Sequence, residues 1–172
     1  MAPLADAESL FDVHQAGLLR YLSRAVGHPD TARDLTQDVY LRIAGAHAIP
    51  ATDDERRVWI FRIARNLAID HRRRHQVRFE TAADPRADVV HAAAQETSAA
   101  VNEALAALDP LDRDVFLMRE VAGLSYAEVA TACDLTVAAV RSRIHRARLE
   151  LRGRLRTPID LTRARPLRAR FP

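Results

Sequence analysis

The chain has 172 residues, 28% of them charged, with 26 basic against 23 acidic side chains and a net charge of +3. Its single cysteine, Cys133, excludes an intrachain disulfide and a cysteine-built zinc cluster. No apolar run approaches the roughly 18 residues of a membrane span. The first residues carry Asp6, Glu8 and Asp12 where a secretory signal would place a basic region and an apolar run, so the expectation is a cytoplasmic protein that inserts in no membrane.

Charge is distributed in blocks. Residues 1–55 carry a net −5, residues 56–78 a net +7, residues 79–140 a net −8 and residues 141–172 a net +9. Two acidic blocks each end in a basic one, as in a protein that grips a polyanion at two places. Every basic side chain is arginine, whose planar fork suits bidentate contacts to phosphate or guanine.

In chain order, Leu10, His14, Leu18, Leu22 and Ala25 recur on one helical face, with a Ser9–Asp12 pair resembling a cap before them and Gly27 placed to end the helix. Pro29 or Asp30 opens a second helix with Leu35, Val39 and Ile43 on its apolar side, and Gly45 closes it. Asp34, Gln37, Asp38 and Arg42 fall on its polar faces. The run from Thr52 to Glu55 supplies a cap and first-turn acids for a long third helix. Trp59, Ile60, Ile63, Ala64 and Leu67 face a core there, while Arg62, Arg65, Asn66, Arg72 and Arg73 point outward. Trp59 belongs to the packed stripe, although Trp59 and Phe61 are also candidate stacking platforms.

From Phe79 to Thr97 the periodicity is lost, which reads as a flexible linker with room for a short helix in its second half. Asp109-Pro110 then caps and opens a helix that stops at Gly123. Ser125 and Glu128 form a capping box, Asp134 offers a residue tolerant of left-handed backbone, and Thr136 caps a further helix. Val137, Val140, Ile144, Ala147, Leu151 and Leu155 form its apolar stripe, leaving Arg141, Ser142, His145 and Arg148 elsewhere. This is helix-turn-helix spacing with a basic second helix. Residues 157–172 read as a basic, mobile tail. No strand pattern of period two persists, so the fold class is all-α. The domains expected are 1–78, a linker at 79–97, and 98–156 with the helix-turn-helix.

Two blocks together carry a family resemblance: ARDLTQDVYLRIA (32–44) with WIFRIARNLAIDHRRR (59–74), and LDPLDRDVFLMREVAGLSYAEVA (108–130) with VRSRIHRAR (140–148). They resemble the extracytoplasmic-function (ECF) group of RNA polymerase sigma factors, which have a region 2 and a region 4 domain joined by a flexible linker. The resemblance implies that Asp34, Gln37, Asp38 and Arg42 dock on core RNA polymerase. It implies that Arg62, Arg65, Asn66, Asp70, Arg72 and Arg73 lie in the part that reads the minus-10 element of promoter DNA, where unstacked bases are held in a shaped, cationic site. It places Arg141, Ser142 and His145 toward base edges of the minus-35 element, and makes Arg143, Arg146 and Arg148 phosphate contacts or helix-packing partners. An anti-sigma protein is an implied partner. The family often has glycine where Asp134 and Ala138 stand.

Two other readings compete. A helix-turn-helix regulator would bind duplex DNA without polymerase, usually as a symmetric dimer, but a sensor domain has little use for the charge of residues 56–78. A metal-dependent nuclease would draw on His71 and His75, one turn apart, yet three arginines lie between them and no carboxylate cluster completes a site. The expectation is a non-enzyme with no cofactor, metal or small-molecule substrate.

Overall fold

A computed structural model describes residues 4–81 and 94–156. The middle of the expected linker and the expected basic tail lie outside the described residues. Among those described there are seven α-helices and no strand. They are α1 (Leu4–Val26), α2 (Pro29–Ala44), α3 (Asp53–Thr81), α4 (Ala94–Ala106), α5 (Pro110–Glu120), α6 (Tyr126–Cys133) and α7 (Val137–Arg156). The helices intrude on both ends of the expected linker, since α3 continues past residue 78 and α4 begins ahead of residue 98.

The N-terminal three helices form one layer of packing. Helix α1 starts well before Ser9, so Ser9 and Asp12 are exposed mid-helix residues and not a cap. It does end at Gly27, whose φ of +79° lets its N–H reach back to the Ser23 carbonyl at 3.0 Å. Pro29 opens α2, while Gly45 ends it in right-handed backbone, its N–H on the Leu41 carbonyl at 3.0 Å. Helix α3 begins on a reciprocal pair: the Glu55 N–H donates to Thr52 Oγ1 at 3.3 Å, and the Thr52 N–H to Glu55 Oε2 at 3.2 Å. The backbone donor at Thr52 holds the Glu55 carboxyl below its ordinary range.

Leu18, Leu22, Leu35, Val39, Ile43, Ile60, Ala64 and Leu67 are buried, as their periodicity predicts. Tyr21 and Phe61 join them, with ring centroids 5.9 Å apart in an edge-on arrangement. Phe61 is therefore a core residue and not a stacking platform. Trp59 and Ile63 are only half-buried. The neighbouring α1 and α2 supply the bulk of the core that the sequence pattern assigned to the α3 stripe.

The C-terminal helices pack around Val115, Leu117, Met118, Leu124, Val129, Val140 and Ile144, all buried. Helix α5 packs on α7 and α6, and α4 on α7. The two groups of helices also touch, α3 against α6 and α1 against α5, so that one continuous buried cluster includes residues from both. Replacing Phe61 by alanine deletes the largest apolar side chain of α3 from this cluster and is expected to lower unfolding free energy by about 3 to 5 kcal/mol, read from urea denaturation followed by circular dichroism.

Candidate nucleic-acid interface

The helix-turn-helix is assembled by local caps. The Glu128 N–H donates to Ser125 Oγ at 3.2 Å and the Ser125 N–H to Glu128 Oε2 at 2.6 Å, completing the capping box that starts α6. Asp134 ends α6 with φ 55° and ψ 46°, the left-handed conformation that aspartate tolerates better than a branched residue. Thr136 Oγ1 then accepts from the Ala139 N–H at 3.1 Å, and α7 begins. Val140, Ile144, Ala147 and Leu151 are buried under α7, while Val137 and Leu155, at the ends of the predicted stripe, are exposed.

Across the outer face of α7, Arg141, Ser142 and His145 are exposed, the arrangement in which a helix presents donors to a groove. The Arg141 guanidinium lies 5.5 Å from the Tyr126 ring centroid, and Arg119 lies 4.7 Å from the same ring. Arg143, Arg146 and Arg148 pair with acids on α5, Arg143 half-buried and the other two exposed. Arg143 and Arg146 both donate to the buried carboxylate of Asp112 on α5, the latter at 3.0 and 3.1 Å. Arg148 donates to Glu120 Oε1 at 2.7 Å. These three arginines make the helix-packing contacts in this structure.

On α3 the outward arginines meet the C-terminal domain. Arg62 Nη2 donates to the Thr131 carbonyl and to Asp134 Oδ1, both at 2.6 Å. Arg65 Nε and Arg72 Nη2 donate to the two oxygens of Asp114, at 3.2 and 2.9 Å. The Asp114 side chain is 1% exposed. Arg57, which the sequence pattern did not single out, donates to the carbonyls of Ala122 and Gly123 at 3.2 and 2.9 Å. Asn66, Asp70 and Arg73 remain exposed. The six residues assigned to one surface thus separate into two covered arginines (Arg65, Arg72), one arginine, Arg62, that is engaged but 42% exposed, and three open residues.

On α2, Asp34, Gln37, Asp38 and Arg42 are all exposed on one side of the helix. Gln37 also borders a groove with Phe11, Gln15, Leu19, Arg33 and Tyr40. Phe11 and Tyr40 meet there edge-on at 5.2 Å between centroids.

Sequence periodicity missed Asp112, Asp114 and Tyr126, because nothing local marks an acid as buried. The available signal was their position: two aspartates flank Arg113 in the first turns of a helix, in a chain with an excess of arginines on the helices to either side. The His71 and His75 rings stand 5.9 Å apart, and among the described residues no group of three or more His, Cys, Asp or Glu side chains gathers in metal-binding geometry.

Burial first, then His75 and Arg74, push the His71 imidazole below its ordinary value of 6.5. The unfolded chain therefore takes up a proton near 6.5 that the folded chain accepts only at lower pH. Stability from this group is full above 6.5 and declines as pH falls through it. Urea midpoints measured between about pH 7.5 and pH 5.5 should fall, and His71→Gln should reduce the fall. Removing the Asp112 carboxylate by Asp112→Ala should cost about 1.5 to 3 kcal/mol by leaving half-buried Arg143 with only the longer contact to Asp109, at 3.7 Å, measurable in the same titration.

Residues 10–78 match the family model for Sigma-70 region 2, and residues 98–151 that for Sigma-70 region 4. The ECF RNA polymerase sigma factor SigL of Mycobacterium tuberculosis is 33% identical over 163 residues, covering 88% of this chain and 89% of SigL. The ECF RNA polymerase sigma factor SigC of the same species is 34% identical over 123 residues, which cover 69% of this chain and 66% of SigC. Among solved structures, CnrH in complex with the cytosolic domain of CnrY has a TM-score of 0.65 and 26% identity, with 90% of each chain covered. The sigma factor RpoE of Bartonella quintana, solved with the anti-sigma factor NepR, shares the fold at a TM-score of 0.67 and 20% identity, covering 89% of this chain and 98% of that one. Sigma-factor regions in both domains leave the polymerase-independent regulator without support. With two helical domains in the family's order and a capped helix-turn-helix in the second, the chain belongs to the ECF RNA polymerase sigma factors.

Proposed function

We propose that this chain directs core RNA polymerase to a set of promoters and promotes local DNA melting, without a catalytic step of its own. The observation that carries the reading is the exposed trio Arg141, Ser142 and His145 on a capped α7, in a chain whose first domain matches region 2. Base edges of the minus-35 element are read by that trio, and phosphate contacts from nearby arginines set its register. The α2 face of Asp34, Gln37, Asp38 and Arg42 is the core-polymerase contact. The α3 residues Arg62, Arg65, Asn66, Asp70, Arg72 and Arg73 serve the minus-10 element, where Asn66 offers both a donor and an acceptor to an unstacked base.

The domain plan is a region 2 domain over 1–78, a linker, and a region 4 domain over 98–156. Such a chain acts in the cytoplasm, and no described helix is long and apolar enough to cross a membrane. An anti-sigma protein is a further partner of such a chain, and the likeness to CnrH, solved in complex with the cytosolic domain of another protein, CnrY, supports a protein partner.

Run-off transcription with purified core polymerase and a randomised promoter library tests this directly. The wild-type chain should enrich a two-part consensus. Arg141→Ala should relax the upstream part and lower initiation from the preferred promoter by about 5- to 150-fold, the equivalent of 1 to 3 kcal/mol per lost bidentate contact, with core binding unchanged. Asp38→Ala should weaken core binding and leave the consensus intact. No enrichment by the wild-type chain would reject the reading.

A further inference from the structure

The first turn of α7 departs from the pattern of the helix behind it. Val137, which the apolar stripe assigns to the core, is instead 36% exposed, and Ala138 beside it is exposed too. Their backbone is fixed, because Thr136 Oγ1 accepts from the Ala139 N–H at 3.1 Å and the Thr136 carbonyl from the Val140 N–H at 3.0 Å. Two apolar side chains thus stand at the surface on the rigid end of a helix.

Their neighbours are the residues proposed to read bases. Val137 lies one turn before Arg141, and Ala138 lies three, four and seven residues before Arg141, Ser142 and His145, so all of them border one exposed side of α7. From this we infer that Val137 and Ala138 form a methyl reader, lying in the minus-35 complex against the C5-methyl group of a thymine in the major groove. The inference rests on the minus-35 role proposed for Arg141, Ser142 and His145.

The chemistry of the groove selects this base. Every base edge there offers hydrogen-bond acceptors or donors, and thymine alone adds a methyl group. Arginine, serine and histidine answer the polar groups. Valine and alanine side chains can neither donate nor accept, so against N7, O6 or an amino group they displace water without replacing its hydrogen bonds. Against a C5-methyl they take apolar surface of both partners out of water. The placement fits as well, since in helix-turn-helix complexes the N-terminal residues of the second helix are the ones that meet base edges. Ordering them costs little, because a helical valine has one strongly preferred rotamer and alanine has none to lose.

The test uses the full chain with core polymerase, at limiting chain concentration, on a promoter enriched from the randomised library. Each thymine of the upstream element, on either strand, is replaced singly by deoxyuridine, which lacks only the C5-methyl. The readout is the ratio of run-off initiation on the two templates for one and the same protein, so that changes in folding or core binding cancel. For the wild-type chain, at least one position should show a fall of about threefold to fivefold, the worth of one methyl group returned to water. Val137→Ser and Ala138→Gly should each shrink that ratio and the double variant should abolish it, while Arg141→Ala lowers initiation on both templates and leaves the ratio in place. Circular dichroism checks each variant for folding. If glycine frays the first turn, Ala138→Ser takes its place, and if the double variant does not fold the single ones carry the test.

A wild-type chain that enriches an upstream element in which no thymine methyl matters overturns the inference. So does a ratio that survives both single substitutions, since the methyl group would then be read from elsewhere on α7. A wild-type chain that enriches no upstream element fails the sigma-factor reading itself and takes the inference with it, a result seen before any deoxyuridine is introduced.

Discussion

The placement of Asp112 and Asp114 on α5 organises the molecule. Both carboxylates are shielded from water, and a shielded carboxylate must be met by cations or hydrogen-bond donors to remain charged. Residues two apart on a helix point in different directions, so one acid draws Arg143 and Arg146 of α7 while the other draws Arg65 and Arg72 of α3. The first set of contacts fixes the recognition helix within its own domain. The second fixes that domain to its neighbour. Helix α5 is thus the element through which the attitude of α7 and the accessibility of α3 are both determined.

Apolar burial runs through both domains as one cluster, with Phe61 against Tyr21 on one side and Leu117, Val129 and Ile144 on the other, and ion pairs are added to it both within the C-terminal domain and between the two. Between domains the polar contacts are guanidinium to carboxylate or carbonyl. Apolar burial strengthens little with changing salt, whereas exposed and half-exposed ion pairs weaken. The exposed ion pairs are therefore more sensitive to salt than the apolar cluster they border.

Much of this was legible in the sequence because it is local. The capping box at Ser125 and Glu128, the left-handed Asp134, the Thr136 cap and the Asp109-Pro110 start all depend on a few adjacent residues, and each stands where the pattern places it. The exposure of Arg141, Ser142 and His145 follows from the same periodicity that buries Val140 and Ile144. What periodicity could not show was non-local. Arg62, Arg65 and Arg72 occupy an outward face of α3, but outward from one domain is inward to the pair. Phe61 reads as solvent-facing until α1 brings Tyr21 beside it. Ser9 and Asp12 imitate a cap on a helix that is already under way, while the short helix for which the second half of 79–97 leaves room is the start of α4, whose alanine-rich sequence gives no periodic signal to fix its first residue.

The Tyr126 ring is shared by two guanidiniums, those of Arg119 and Arg141. Arg119 is anchored, donating from Nη1 to the Leu124 carbonyl at 2.7 Å, so the ring carries one fixed cation and a second, Arg141, on the exposed face of α7. In the role proposed for it, Arg141 would leave this perch to enter a groove, and the energy of leaving would be set by aromatic chemistry that never meets a nucleotide. Drift at position 126 or 119 would then retune the vocabulary of the chain while every residue proposed to face the double helix stayed the same.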